Sequence, residues 1–340
     1  MDAVTLGRTG LTTGKNGFGA LPIQRIGTAD AERILRKAFD GGIHFFDTAR
    51  AYSDSEEKMG RALSDVRNKL IIATKTGAPD AKGFWEHLGQ SLTLLKTDYI
   101  DLYQFHNISP YPRPGDGSGL YEAALEAKRK GTIRFIGLTA HRLQTAREAV
   151  ESGLYDTLQF PFSYLSSEEE IALTALCREK GVGFIAMKSL AGGLITNAKA
   201  AYAFMSEQDN VLPIWGIQRE RELDEFLAFA ENPPKLDDSL RAEIDADRAM
   251  LTGGFCRGCG YCLPCPAGIP IHTCARMSLL IRRSPPAQHL TESSRAMMGR
   301  IENCTHCGHC SAHCPYGLDT PALLARNYED YKEILAGKDL

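Results

Sequence analysis

Nine of the chain's ten cysteines fall between Cys256 and Cys314, in two tight combs. The first reads Cys256-x2-Cys259-x2-Cys262-x2-Cys265-Pro266, and the second Cys304-x2-Cys307-x2-Cys310-x3-Cys314-Pro315. Thiolates at this spacing can wrap three corners of a four-iron, four-sulfur cube on one loop, while a fourth ligand arrives from elsewhere. In the bacterial two-cluster arrangement the last cysteine, followed by proline, leaves its own loop and ligates the other cube. Proline suits that position because its fixed φ forces the chain to turn. Cys256, Cys259, Cys262, Cys265, Cys304, Cys307, Cys310 and Cys314 would complete two [4Fe-4S] sites, with Cys177 and Cys274 left over. The second comb has the bacterial spacing throughout. The first is one residue shorter before its last cysteine, which leaves Cys265 against Cys274 open as its fourth thiolate.

Two other chemistries compete for such cysteines. Structural zinc uses Cys-x2-Cys pairs, but normally two pairs per ion and not runs of three or four. Disulfides need an oxidising compartment, and adjacent Cys-x2-Cys pairs rarely serve as structural bridges. Between residues 254 and 320 six arginines (Arg257, Arg276, Arg282, Arg283, Arg295, Arg300) face three acids (Glu292, Glu302, Asp319). Positive charge suits an anionic cube, since a nearby opposite charge favours the ionised ligand. It would equally suit a docking face for an acidic partner. Cys274, His306, His309 and His313 stand near the combs as supporting residues, and Cys177, within Ala175-Leu176-Cys177, reads as a small buried hydrophobe.

A different set of reactive groups lies ahead of the combs. Asp47 ends the apolar run His44-Phe45-Phe46, and Tyr52 follows five residues later. Lys75 ends Leu70-Ile71-Ile72-Ala73-Thr74, and His106 ends Leu102-Tyr103-Gln104-Phe105. Together they suit carbonyl reduction, which needs a proton donor at the developing alkoxide. A phenol is a weak acid, with a pKa of about 10, and an adjacent ammonium lowers it by stabilising the phenolate. An aspartate would hold that lysine, and an imidazole would hydrogen-bond the substrate oxygen. Singly, each has a plainer reading: Asp47 as a loop cap, Tyr52 as a surface aromatic, His106 as a core histidine.

Such groups need elements to carry them. Extended runs are expected at Asn16–Leu21, His44–Ala49, Leu70–Thr76, Ile100–His106, Ile133–Ala140, Asp156–Phe162, Gly183–Ser189 and Val211–Ile217. Helical patterns alternate with them at Asp30–Phe39, Ser55–Leu63, Ala81–Leu95, Leu120–Lys130, Leu143–Ser152, Ser167–Lys180, Asn197–Ser206 and Glu220–Ala230. Asp30, Ser55 and Ser167 are suited to open helices, and Gly41, Gly131, Gly153 and Gly181 follow helix ends. Eight such repeats predict a closed parallel (β/α)8 barrel, whose reactive groups sit at the carboxyl ends of strands. An open doubly wound sheet is the runner-up, but no Gly-x-Gly-x-x-Gly turn follows the first strand. Residues 3–15 read as a glycine-rich hairpin plugging the barrel's bottom. The expected organisation is a barrel over 1–234, a helical bridge over 235–253 and an iron-sulfur domain over 254–340. Pro285-Pro286 divides the combs, and a final helix spans Thr320–Leu335 with Pro321 in its first turn.

Asp47-Thr48-Ala49-x-x-Tyr52, the lysine after the third strand and the stretch Asp98-Tyr99-Ile100-Asp101-Leu102-Tyr103-Gln104-Phe105-His106 resemble the aldo/keto reductase superfamily. With the combs appended, nearly the whole chain is similar to that superfamily's branch carrying a C-terminal ferredoxin-like domain. The resemblance implies Tyr52 as general acid, Lys75 and Asp47 as the pair that tunes it, and His106 as the group orienting the carbonyl. It further implies NADP(H) or NAD(H) as cofactor, with Gln159 near the nicotinamide carboxamide. Lys188, Ser189 and Leu190, after the seventh strand, would lie near the pyrophosphate. The pattern departs from the family in three places. Thr139-Ala140-His141 replaces Ser-Asn, Ile214-Trp215-Gly216-Ile217-Gln218 replaces the Ile-Pro-Lys-Ser loop, and Glu225-Phe226 replaces Glu-Asn. Arg219 or Arg221 would then be left to meet a 2′-phosphate or simply to face solvent. Phe84 and Trp85 are read either as a wall of the substrate pocket or as packing.

The 340 residues are 43% hydrophobic and 24% charged with a net charge of −3, as in an ordinary globular protein with no pull toward nucleic acid. The first residues lack a signal-peptide pattern and no apolar run reaches about 18 residues, so a cytoplasmic address without a membrane span is expected. Three functions follow. The first is an NAD(P)H-dependent reductase of a small-molecule carbonyl substrate, whose clusters are structural or connect to an outside electron carrier such as a ferredoxin or flavodoxin. The second is a ferredoxin-linked oxidoreductase relaying cluster electrons to a barrel-bound substrate or flavin. The third is a non-catalytic electron-transfer protein.

Overall fold

The protein is described here by a computed structural model covering residues 2–251, 254–283 and 286–338. Its chain forms two compact units. One comprises Met1–Ser189 and Lys199–Asp237, the other Leu190–Ala198 and Asp238–Leu340.

In the first unit, strands β1 (Ala3–Thr5) and β2 (Thr12–Gly14) pair as an antiparallel hairpin. Then come β3 (Gly17–Gly19), β4 (Phe45–Asp47), β5 (Ile71–Thr76), β6 (Ile100–His106), β7 (Ile133–Thr139), β8 (Thr157–Pro161), β9 (Gly183–Met187) and β10 (Val211–Gly216). These eight close into a parallel barrel in the order β10-β3-β4-β5-β6-β7-β8-β9. Helices α1 (Thr28–Asp40), α2 (Ser55–Leu63), α3 (Ala81–Leu95), α4 (Leu120–Arg129), α5 (Leu143–Glu151), α6 (Glu168–Glu179), α7 (Ala198–Ser206) and α8 (Glu220–Glu231) alternate with the strands. The barrel, and not the open sheet, is therefore the fold.

Strand alternation sorts the barrel interior into layers. Phe45, Ala73, Leu102, Ile185, Leu212 and Ile214 form a buried apolar layer, against which Val4 and Leu6 of the hairpin pack. Each fully buried Leu or Phe there contributes about 1.5–3 kcal/mol, so the hairpin stoppers the amino end. Two residues further along the same strands the inward positions turn polar: Asp47, Lys75 and Gln104, with Ala73 paired to Leu102 and Lys75 to Gln104. His106 is the next inward position on β6.

Local signals explain some of the helix ends. Ser167 and Glu170 form a reciprocal capping box at the start of α6, which satisfies otherwise orphaned N–H groups. The first helix starts earlier than expected: Gly27 is its N-cap, and Asp30 lies inside the first turn, where it pairs with Arg33 at 2.9 Å. A carboxylate is favourable there because it meets the positive end of the helix dipole. Likewise Asp54, not Ser55, is the N-cap of α2.

The second unit holds α9 (Asp238–Met250), α10 (Ile271–Cys274), α11 (Met277–Arg283), α12 (Glu292–Gly299), α13 (His309–Ala312) and α14 (Thr320–Leu335). Its core gathers Ile271, Met277, Ile281, Met298, Leu324 and Tyr331. Buried Asn327 of α14 accepts from the Ser278 backbone at 2.9 Å and donates to the Ala275 carbonyl at 3.3 Å. Arg282 and Asp330 make a two-pronged ion pair between α11 and α14. Its guanidinium holds the Asp330 carboxyl well below the usual range. Pro285 of the dividing Pro-Pro pair lies outside the described residues. Among the described residues no helix is long and apolar enough to cross a membrane.

Candidate functional site

Asp47 at the end of β4 and Lys75 near the end of β5 are only 2% and 1% exposed. The Lys75 ammonium donates to both Asp47 oxygens at 2.7 Å and to the Thr48 carbonyl at 2.6 Å, filling its three donor directions. Burial pushes the Asp47 carboxyl up and the Lys75 amine down, and the attraction between the two opposes both shifts. The Lys75 Nζ stands 5.1 Å from the centroid of the Tyr52 ring. That ring in turn meets His106 edge-on, with centroids 5.8 Å apart at 82°. The four expected groups thus converge on one rim of the barrel. Burial, followed by the Lys75 charge, pushes His106 down to about 3, so its imidazole is neutral at pH 7.

Beneath this group lies an amide layer. Gln104 donates to Gln159 at 2.8 Å and to Asp47 at 3.4 Å, and Gln159 also hydrogen-bonds Asp47. Gln159 is 1% exposed, so its amide is engaged in fixing the carboxylate. Lys188 follows β9 in the left-handed region at φ 58°, and Ser189 is buried with its hydroxyl donating to the Ala186 carbonyl at 3.3 Å. Leu190 begins the segment that groups with the second unit. His141 is buried after β7, and burial, then Lys188 and His106, push its imidazole well below the ordinary value.

The loop bearing Tyr52 is pinned by Glu56 and Arg50, to which the sequence assigns no role, and by Ser55, expected there only as a helix opener. Glu56, fully buried on α2, accepts from Thr74 at 2.6 Å and Ser91 at 2.7 Å and pairs with Arg50. The Arg50 backbone donates to the Lys75 carbonyl at 3.0 Å. Ser55 bonds Thr48 at 2.8 Å and the Ala20 carbonyl at 3.0 Å. A buried carboxylate needs partners, but nothing local in Ser55-Glu56-Glu57-Lys58 distinguishes buried Glu56 from its exposed neighbour Glu57. Phe84 is fully buried and packs edge-on against Tyr103 at 5.3 Å, and Lys130 sits 4.6 Å over the Trp85 ring. Packing is therefore what the structure shows for this pair.

The combs build two cavities. Cys256, Cys259, Cys262 and Cys314 line one, and Cys265, Cys304, Cys307 and Cys310 line the other. Each comb lends its last, proline-followed cysteine to the other's cavity. Cys274 lies instead in the apolar core, its thiol directed at the Met297 carbonyl 3.8 Å away and pushed up to about 11 by burial. Cys177 is fully buried too, and burial raises its thiol to about 12. Among the described residues no set of three or more His, Cys, Asp or Glu is gathered as a single metal ion would require. Four soft sulfur donors lining one cavity suit an iron-sulfur cube.

Comparison with known proteins agrees with both halves. The model of the aldo/keto reductase family matches residues 10–212, and that of the 4Fe-4S dicluster domain matches residues 255–319. An L-galactose dehydrogenase from Arabidopsis thaliana is 31% identical over 210 residues, which cover 56% of this chain and 66%, just under two thirds, of that protein. An uncharacterized oxidoreductase of Bacillus subtilis is 31% identical over 221 residues, covering 60% of this chain and 70% of its own. An aldo-keto reductase from Bacillus halodurans, solved in its holo form, shares the fold with a TM-score of 0.63 at 24% identity, over 73% of this chain and 96% of its own. The chain belongs to the aldo/keto reductase family and carries a C-terminal 4Fe-4S dicluster domain, which makes it an oxidoreductase of aldo/keto reductase type.

Proposed function

We propose that the barrel reduces the carbonyl group of a small molecule with NAD(P)H, and that Tyr52 supplies the proton. The observation that carries this reading is the chain of contacts from Asp47 through Lys75 to Tyr52 and on to His106. When bound, a nicotinamide cofactor supplies the hydride. As the carbonyl oxygen gains charge, the Tyr52 hydroxyl gives it a proton, and the phenolate left behind is stabilised by the Lys75 ammonium. Asp47 keeps that ammonium charged and aimed. Neutral His106 donates one N–H to the substrate oxygen without competing as an acid. Lys188, Ser189 and Leu190 are the proposed pyrophosphate contacts. Gln159 supports the nicotinamide end through its bonds beneath the site.

The test is Tyr52→Phe. Carbonyl reduction should fall by about 10²–10⁴, with iron content and folding retained. Turnover at the wild-type rate would remove Tyr52 as the acid.

We assign the eight comb cysteines as ligands of two [4Fe-4S] clusters, each cluster taking three from one comb and one from the other. Those cavities favour a second reading, in which a ferredoxin or flavodoxin exchanges single electrons with the clusters and a barrel-bound substrate or flavin receives them. Anaerobic addition of NADPH alone separates the two. Bleaching of the clusters without added carrier supports electronic coupling, and carbonyl-dependent NADPH consumption independent of cluster oxidation state supports the first.

A further inference from the structure

The two cavities differ in the charge built around them. Arg276 stands beside the first, following Cys274 in sequence. Its Nε donates to the His272 carbonyl and its Nη1 to the Gly192 carbonyl, both at 2.9 Å. The guanidinium is packed against two glycines in left-handed conformations, Gly258 at φ +65° and Gly192 at φ +67°. A Cβ on Gly258 would stand 2.8 Å from its Cζ, and one on Gly192 2.8 Å from its Nη1. Any side chain at either position would displace it. Gly258 belongs to the first comb, and its N–H points at the Cys256 sulfur 3.4 Å away. Both Cys256 and Cys259 interact electrostatically with Arg276. Arg257 stacks 4.4 Å over the Tyr316 ring. It lines the first cavity, whereas among the described residues lining the second there is no arginine or lysine, and the ionisable side chains besides cysteine are His306 and His309. Arg300 approaches that side at the Gly268 carbonyl, 3.4 Å away and three residues past Cys265.

Reduction of a four-iron cube adds one negative charge to an already anionic group. A guanidinium is charged at every physiological pH, and a fixed cation at short range stabilises the reduced form. Exposure works in the opposite direction, because water also stabilises the added charge and Cys307 of the second cavity is exposed. A permanent charge held by two hydrogen bonds against the ligand loop outweighs partial exposure of one thiolate, since solvent screening acts least on a half-buried cation. We propose that Arg276 sets the reduction potential of the cluster held by Cys256, Cys259, Cys262 and Cys314, making it the more easily reduced of the two. The inference rests on the two-cluster reading above and goes beyond it by ranking the sites.

The experiment is an anaerobic redox titration of the full-length holoprotein with dithionite, followed by electron paramagnetic resonance. Cys307→Ala, which removes a ligand from the second cavity, identifies the first-cavity signal. In the wild type that signal should have the higher midpoint. Arg276→Gln should shift its one-electron equilibrium about tenfold toward the oxidised form, about 59 mV downward, while the other cluster stays in place. Arg276→Lys should retain most of the wild-type value. A reversed order in the wild type, an Arg276→Gln shift shared by both clusters, or an Arg276→Lys shift as large as that of Arg276→Gln would overturn the assignment. Protein prepared anaerobically without iron and sulfide would instead overturn the cluster reading itself.

Discussion

The Asp47–Lys75 pair is buried in the barrel, and that location decides what its residues do. Removing one partner leaves the other charge buried and unpaired, which costs about 3–5 kcal/mol. Asp47→Asn and Lys75→Met should each destabilise the barrel by about that amount, and the double variant by clearly less than the sum. Urea unfolding followed by the fluorescence of Trp85 and Trp215 reads this directly, because both tryptophans belong to the barrel unit. Additive losses would mean that the two side chains are not coupled. His106 carries a pH prediction. Its folded value is pushed down to about 3, whereas an unfolded imidazole titrates near 6.5. The unfolded chain therefore binds the proton first, so His106 subtracts stability as pH falls from about 6.5 toward 3 and subtracts none above. The pH profile of kcat/KM should accordingly show no ionisation near 6.5 attributable to this residue. An inflection there that vanishes in His106→Gln would contradict its neutral role.

At the scale of elements, the short loop between β4 and α2 is fixed by side-chain hydrogen bonds and an ion pair. Glu56 ties it to β5 through Thr74, to α3 through Ser91 and back to itself through Arg50. Tyr52 inherits its position from that network. Glu56→Gln keeps the shape and the Thr74 and Ser91 contacts but removes the charge paired with Arg50. It should lower kcat about tenfold with a smaller change in KM, because misplacement of a proton donor by a fraction of an ångström weakens transition-state contacts more than binding. Steady-state kinetics check this, and an unchanged kcat would make the network one of stability alone. The alternation along β6 explains the rest of the site's construction. Leu102, Gln104 and His106 share the inner side, so one strand supplies a core residue, a supporting amide and the proposed substrate contact in turn.

For the whole molecule, the proline-followed cysteines interlock the two combs, so neither cluster loop is independent of the other. Cys265→Ser should perturb the same spectroscopic signal as Cys304→Ser, and Cys314→Ser the same signal as Cys262→Ser. Spectra that group Cys265 with Cys262 would show each comb serving its own cluster. Cys307→Ala should lose about half of the iron and lower the thermal stability of the second unit, since cluster binding free energy is folding free energy. Iron content equal to the wild type would count against that ligand.

Much of this was legible along the chain. Eight runs of apolar residues marked the eight barrel strands, because strands buried on both faces read as continuous hydrophobic segments. Asp47, Lys75 and His106 stood out because each breaks such a run at its carboxyl end. Spacing along the combs identified two four-sulfur sites, since ligands on one loop are separated by local geometry alone. Other features depended on residues brought together from distant positions. The buried partners of Glu56, the amide layer of Gln104 and Gln159, the grouping of Leu190–Ala198 with the second unit and the placement of Arg276 between Gly192 and Gly258 have no local signature. Local sequence determines which groups are available and how they repeat, whereas which charge stands against which sulfur or carboxylate depends on long-range packing, which only the tertiary fold decides.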